Sequence, residues 1–187
     1  ASLSTLGKAG PEGVSVEINS SSEEKLFRRC VVNNAAYDYI SRCSQNDMNI
    51  KNPPTDLRIW IFHSLDVSSA VMLHHGAIVE SGMLSSFLGS FTSLVKYFLP
   101  DITLGAEGKN DYASIYSTVC HELAHASHFA KVGTDYWNKY IRYIVESYVM
   151  TGDPYGDGTA ANAGYCEVGE SWAYYLESMM YKERYGG

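Results

Sequence analysis

Residues 121–125 read His-Glu-Leu-Ala-His, and they lie inside the segment with the clearest helical pattern of the chain. On a helix, His121 and His125 lie one turn apart on the same face, so their ring nitrogens can converge on one tetrahedral Zn²⁺ at about 2.0–2.1 Å. Glu122 points roughly a quarter turn away from that line, where its carboxylate can reach a water molecule without binding the metal. The stretch therefore predicts a metal site with a neighbouring base.

The residues around this stretch predict one helix over 110–133. Asn110 or Asp111 can cap its start, and Gly133 provides the left-handed residue that ends many helices. At 100° per residue, one face is apolar and collects Ile115, Val119, Leu123, Ala126 and Ala130. The opposite face collects Ser114, Thr118, His121, His125 and His128. The pattern thus predicts a helix that is buried on one side and presents histidines on the other.

Elsewhere, hydrophobic periodicity and turn residues predict several shorter elements. Strands are expected at 14–18, 57–62, 70–74 and 101–104, and helices at 22–43, 135–150 and 165–182. Ser21 and Glu24 form the pattern of a capping box at the first helix. The segment 76–99 fits either a helix or a loop with helical turns. We expect a tail or linker at 1–12 and one domain at 13–187, with an α+β part at 13–109 and a helical part at 110–187.

Composition limits the possible functions. The 187 residues are 45% hydrophobic and 19% charged, which is typical of a globular protein. A net charge of −7 and the absence of a basic run argue against nucleic acid as a partner. No stretch has the apolar length of a transmembrane helix. The Tyr and Asn content and the aperiodic N-terminal segment favour an exported protein, whether periplasmic, cell-surface or secreted.

Four cysteines raise the question of disulfides. Cys30 and Cys43 are predicted on one helix, where they would be about 20 Å apart. That separation is beyond disulfide reach, so these two cannot pair while the helix is intact. The other cysteine spacings do not resemble a disulfide or zinc framework.

The His-Glu-Leu-Ala-His stretch resembles the HExxH motif of the zincin metallopeptidases. Metzincins continue it with a glycine and a third histidine, but this chain has His128 and Lys131 at those positions. Gluzincins instead take a third ligand from a glutamate on a later helix. Residues 166–173 read Cys-Glu-Val-Gly-Glu-Ser-Trp-Ala, and Glu170 with Ala173 fits the Glu-x-x-Ala pattern of that helix. Glu167 is the alternative ligand, or else a hydrogen-bond acceptor for a ligand histidine.

The resemblance to gluzincins implies a zincin-like α+β fold. A small mixed sheet would pack on the HExxH helix, and a mainly helical C-terminal part would carry the third ligand. One Zn²⁺ would be held by His121, His125 and Glu170, with the fourth position open to water. Strand 101–104 would form the cleft rim and pair with an extended substrate, although a plain core or edge strand fits the pattern equally well. His128 would line the cleft or support a ligand, or else be an ordinary surface histidine.

The implied activity is hydrolysis of a peptide or protein substrate, with Glu122 as general base. The glycine-containing acidic motif by which aminopeptidases bind the substrate amine is missing, which favours an endopeptidase. An additional oxyanion donor is usual, and the candidates are Tyr174, His74, His75, Tyr165 and His128. Two alternatives use the same residues, namely an inactive binding module on a zincin scaffold and a zinc hydrolase of a non-peptide amide.

Overall fold

The structure is a computed structural model, and it describes residue 11 and residues 17–45, 48–76, 100–109 and 111–186. Within them, the chain forms helix α1 at Glu24–Ser44, strands β1 at Ile59–Phe62, β2 at Ser69–Ala70 and β3 at Ile102–Gly105, and helices α2 at Tyr112–Val132, α3 at Thr134–Thr151 and α4 at Ala163–Tyr185. The prediction of an α+β protein with a small mixed sheet is confirmed. The predicted tail at 1–12, most of the strand at 14–18 and nearly all of the segment 76–99 lie outside the described residues.

The three strands form one sheet in the order β1-β3-β2. β3 pairs in parallel with β1 and antiparallel with β2, and all four of its residues are buried. It is therefore the central strand of the sheet. The prediction that 101–104 forms the cleft rim is wrong, because both edges of β3 are occupied by neighbouring strands and the alternative of a core strand is correct.

Helix α2 lies at the centre of the molecule. It contacts α1, α3 and α4, and strands β2 and β3 pack against it as well. The hydroxyl of Tyr39 on α1 donates to Ser127 Oγ on α2 at 2.9 Å, and both side chains are buried. The indole N–H of Trp137 on α3 donates to the Val71 carbonyl at 3.3 Å, which fixes α3 against the segment after β2. These contacts hold α2 on several sides at once.

The start of α1 differs from the predicted capping box. The N-cap residue is Glu23, and its side chain makes no capping hydrogen bond. Asn19 instead accepts from the backbone N–H groups of Ser21 and Ser22, each at 3.0 Å. An Asn side chain competes well for nearby backbone donors, so the turn forms before the helix and the helix starts later.

The described cysteines are all free thiols, and Cys43, Cys120 and Cys166 are buried. Burial raises the pKa of the Cys120 thiol to about 12 and that of Cys166 to about 12. These residues therefore behave as small core side chains rather than as nucleophiles or metal ligands. None of the helices in the described ranges is both long and apolar enough to cross a membrane.

Candidate metal centre

Local capping explains why α2 begins and ends where it does. The carboxylate of Asp111 accepts from the Ser114 backbone N–H at 2.7 Å, which makes Asp111 the N-cap. Gly133 ends the helix with φ 81°, a backbone conformation that few other residues adopt readily. The predicted helix and both of its predicted ends are therefore confirmed. The motif at 121–125 falls in the middle of this helix, away from both ends.

The histidine face of α2 is covered rather than open. Every residue from Glu122 to Phe129 is buried, because α3 and α4 pack over the face that carries the histidines. His128 is 7% exposed and packs its ring against Tyr136 and Trp137, with ring centroids 5.3 and 5.8 Å away. The predictions of a surface histidine and of a cleft residue are therefore wrong, because His128 is buried and is not among the residues that line the cavity at this site. Its role in supporting a ligand stays a prediction.

Three predicted ligands come together in space. His121 Nε2 and His125 Nε2 are 3.2 Å apart. Glu170 places Oε2 at 3.6 Å from His121 Nε2 and Oε1 at 3.5 Å from His125 Nε2. Ligand atoms that surround a tetrahedral zinc at about 2.05 Å are about 3.3 Å from one another. With one atom taken from each side chain, the three ligand atoms lie within 4.8 Å of one another, so the side chains would move closer together around one such ion. They are the candidate cluster for a metal among the described residues.

Several buried polar atoms at this cluster have no hydrogen-bond partner within the described part of the chain. Glu122 Oε2, His125 Nδ1 and Glu170 Oε2 are all buried and have no hydrogen-bond partner among the described residues. Leaving such an atom unsatisfied costs about 1–3 kcal/mol, and more when the group is charged. Ligand binding at this position would supply the carboxylate oxygens with a partner. The donor chemistry of two imidazoles and a carboxylate is that of zinc sites with an open position.

Outer contacts orient two of the three ligands. His121 Nδ1 is 3.0 Å from Glu177 Oε2, so a proton on Nδ1 is donated to that carboxylate and Nε2 keeps its lone pair for the cluster. The Tyr140 hydroxyl donates to Glu170 Oε1 at 2.6 Å. This hydrogen bond occupies one carboxylate oxygen and leaves the other directed at His121.

Burial and charge shift the pKa values in this cluster. Burial raises the pKa of Glu122 to about 8. Burial also lowers the pKa of His125 to about 3, and the nearby His121 adds to this decrease. Burial opposes a charge on His121, but the carboxylates of Glu170 and Glu177 outweigh it and raise the pKa of His121 to about 10. His125 is therefore neutral, as a metal ligand must be. A metal ion that binds His121 would have to displace the proton that these carboxylates stabilise.

Glu167 does not join the cluster. It is exposed on α4, and its carboxylate lies next to Gly158 in the loop between α3 and α4. Glu170, one turn further along, is 13% exposed at its side chain and faces α2. Which of the two binds a metal remains a prediction, but Glu170 alone stands among the histidines in the described part of the chain.

None of the five predicted oxyanion donors lines the cavity beside the cluster. Tyr174 is 55% exposed, with its ring centroid 4.8 Å from that of His121. His75 is turned towards the Thr55 carbonyl, at 2.9 Å from its Nε2. The tyrosines that do line the cavity are Tyr140, Tyr148 and Tyr155.

Sequence reasoning missed Tyr140 and Glu177 as parts of the site. Glu177 lies two helical turns after Glu170 and therefore on the same face, so the spacing contained a usable signal. Tyr140 lies on the helix predicted at 135–150, and its ring is buried. The partner of its hydroxyl is determined only by the packing of α3 against α4.

Comparisons with protein-family models, with curated proteins and with solved structures find no match to this chain. The likeness to zincins therefore remains a hypothesis that depends on the motifs at 121–125 and 170–173. What the site can do follows from the chemistry of its own side chains.

Removing the Glu177 carboxylate is expected to weaken zinc binding by about 10–100-fold, because His121 would lose the acceptor that fixes its tautomer and ring orientation. The variant is Glu177→Ala, and the measurement is competition for zinc with a chromogenic chelator. Glu177→Gln keeps an acceptor oxygen and should recover part of the affinity. Zinc affinity equal to that of the parent in Glu177→Ala, with the fold intact by circular dichroism, would rule out this role.

Proposed function

We propose that the chain is a zinc-dependent peptidase with a zincin-like fold, in which His121, His125 and Glu170 bind the metal and Glu122 is the general base. The observation that carries this proposal is the spacing of the three ligand side chains, 3.2 to 3.6 Å between facing atoms. Buried nitrogen and oxygen atoms at these distances need a shared cation, which can be a proton or a metal ion, and two imidazoles with one carboxylate are donors that zinc accepts. Their position in an HExxH helix favours zinc over other divalent ions.

Each side chain has a distinct task in the proposed reaction. A zinc ion, when bound, supplies Lewis acidity towards a carbonyl oxygen and towards water. Glu122 lines the same cavity as the ligands and is not one of them, so it can accept a proton from the attacking water and return it to the leaving amine. Tyr140 holds Glu170, and Glu177 holds His121, so that both ligands keep their orientation.

The cavity also favours an extended substrate. Residues 67–71, which include β2, line it on one side. β2 has β3 as its hydrogen-bonded neighbour in the order β1-β3-β2, so within the described residues its other edge has no strand beside it. An extended peptide can add to such an edge through backbone hydrogen bonds. We therefore propose that β2, rather than 101–104, forms the rim that pairs with substrate.

Metal removal tests the proposal directly. The purified protein is expected to contain one zinc per chain and to hydrolyse a mixture of unstructured peptides. Treatment with 1,10-phenanthroline followed by dialysis should abolish hydrolysis, and stoichiometric Zn²⁺ should restore it. Cleavage that persists in demonstrably metal-free protein would contradict the proposal, whereas zinc binding without any hydrolysis would favour the inactive binding module.

A further inference from the structure

A cavity of about 380 Å³ opens beside His121, Glu122 and Glu170, between the β2 segment and α3. We infer that this cavity is a specificity pocket for a bulky apolar side chain of the substrate, next to the bond that is cleaved. The inference rests on the proposed peptidase function and adds the substrate class. Ligand pockets in proteins span about 300–1,000 Å³, so this volume suits one large side chain and its adjoining backbone rather than a long segment.

The walls of the cavity are aliphatic on both long sides. Ile141, Ile144 and Val145 line it from α3, and Val67, Ala70 and Val71 line it from the β2 segment. The bond from the Trp137 indole to the Val71 carbonyl ties these two walls together at 3.3 Å. The cavity is therefore preformed by core packing. An apolar side chain that enters it leaves water without displacing the described residues that line it.

The hydroxyl groups of Ser68, Ser69 and Thr103 in the wall already have hydrogen-bond partners. Ser69 Oγ and Thr103 Oγ1 are hydrogen-bonded at 2.8 Å, and Ser68 Oγ accepts from the Gly105 backbone N–H at 3.0 Å. Among the described lining residues, the ionisable acids and histidines are those of the metal centre, namely His121, Glu122, His125 and Glu170. Away from the metal centre, a lysine, arginine or aspartate side chain in the pocket would lose its hydration and meet no charged partner among the described lining residues.

Cleavage-site mapping on a peptide library made by digesting denatured proteins tests the preference. The parent protein is expected to cut where one residue beside the cleaved bond is Phe, Leu, Met or Tyr, and to disfavour Lys, Arg, Asp and Glu at that position by about 100-fold. Cleavage without any side-chain preference, or with a preference for charged residues, would overturn the inference.

A charge introduced into the wall should redirect specificity. Ile144 is half-buried and lines the pocket. In Ile144→Asp we expect kcat/KM for a phenylalanine peptide to fall by about 10–100-fold and that for the matched lysine peptide to rise. The control is Val149→Asp, which places the same charge on the same helix at a residue that is 59% exposed and outside the pocket; its specificity should equal that of the parent. If Ile144→Asp does not fold, Ile144→Ala should raise the rate for tryptophan peptides relative to leucine peptides.

A binding measurement separates this inference from the proposed function. N-acetyl-phenylalanine amide and N-acetyl-lysine amide are titrated into Glu122→Gln protein and followed by NMR shifts of the pocket residues. The phenylalanine amide should bind at least about 10-fold more tightly, and Ile144→Asp in the same background should remove that advantage. If the phenylalanine amide binds more tightly as expected but the parent protein hydrolyses no peptide, only the peptidase proposal is overturned. Equal binding of the two amides would overturn the pocket assignment even if the parent hydrolyses peptides.

Discussion

Glu122→Gln is expected to keep its zinc and to lose peptide hydrolysis by at least about 10³-fold. The side chain lines the cavity, is 5% exposed, and has an unpartnered oxygen among the described residues, so the isosteric amide should fit the same space. An amide cannot accept the proton from the attacking water, and general bases typically contribute about 10²–10⁴-fold to the rate. The measurement is kcat/KM on a fluorogenic peptide, together with zinc per chain on the same sample.

Two comparisons make this result specific. Glu107→Gln alters a carboxylate outside the cavity, on the loop after β3, and should leave both zinc and activity unchanged. Zinc content that falls together with activity would indicate that Glu122 supports the cluster rather than the chemistry. Full hydrolysis by Glu122→Gln would show that the assigned base is wrong.

Glu170→Ala is expected to lower zinc affinity by more than about 100-fold. This change removes a ligand, so its effect should exceed the 10–100-fold typical of an outer hydrogen-bond partner. It also leaves the Tyr140 hydroxyl without the acceptor that it now contacts at 2.6 Å. Zinc affinity is measured by chelator competition, and circular dichroism verifies that α4 remains folded.

The matched control is Glu167→Ala, a change of the same kind on the same helix one turn earlier. Because Glu167 is exposed and points towards the loop at Gly158, this variant should bind zinc as tightly as the parent. The reverse pattern, with affinity lost in Glu167→Ala and kept in Glu170→Ala, would assign the third ligand to Glu167.

Local sequence rules were sufficient where local interactions decide the structure. Helix α2 and its two ends depend on Asp111, Gly133 and a clear hydrophobic pattern, and all of these are readable without a fold. The same holds for the pairing of His121 with His125, because helical spacing alone places them together. The choice of Glu170 for the site also came from sequence, through its neighbour Ala173, which is fully buried against the rest of the protein.

The remaining features depend on contacts between residues distant in sequence. Strand 101–104 could not be placed inside or at the edge of the sheet, since its pattern is the same in both positions and only its pairing with β1 and β2 decides. His128 is buried because α3 folds back over α2. The hydrophobic pattern of α2 alone cannot predict that contact. Tyr140 and Glu170 meet only because α3 and α4 pack side by side.

The close packing of α4 against its neighbours limits how the metal centre can open. Gly169 precedes Glu170 and is so near Tyr140 that an added Cβ would lie 3.3 Å from its ring. Every group that binds or orients the proposed ion thus belongs to a helix of the tightly packed interior. Such regions exchange their amide hydrogens mainly through global unfolding, whereas loops open locally at little cost in free energy. A bound ion could exchange through the cavity beside it, whereas the arrangement of its ligands would persist for as long as the domain stays folded.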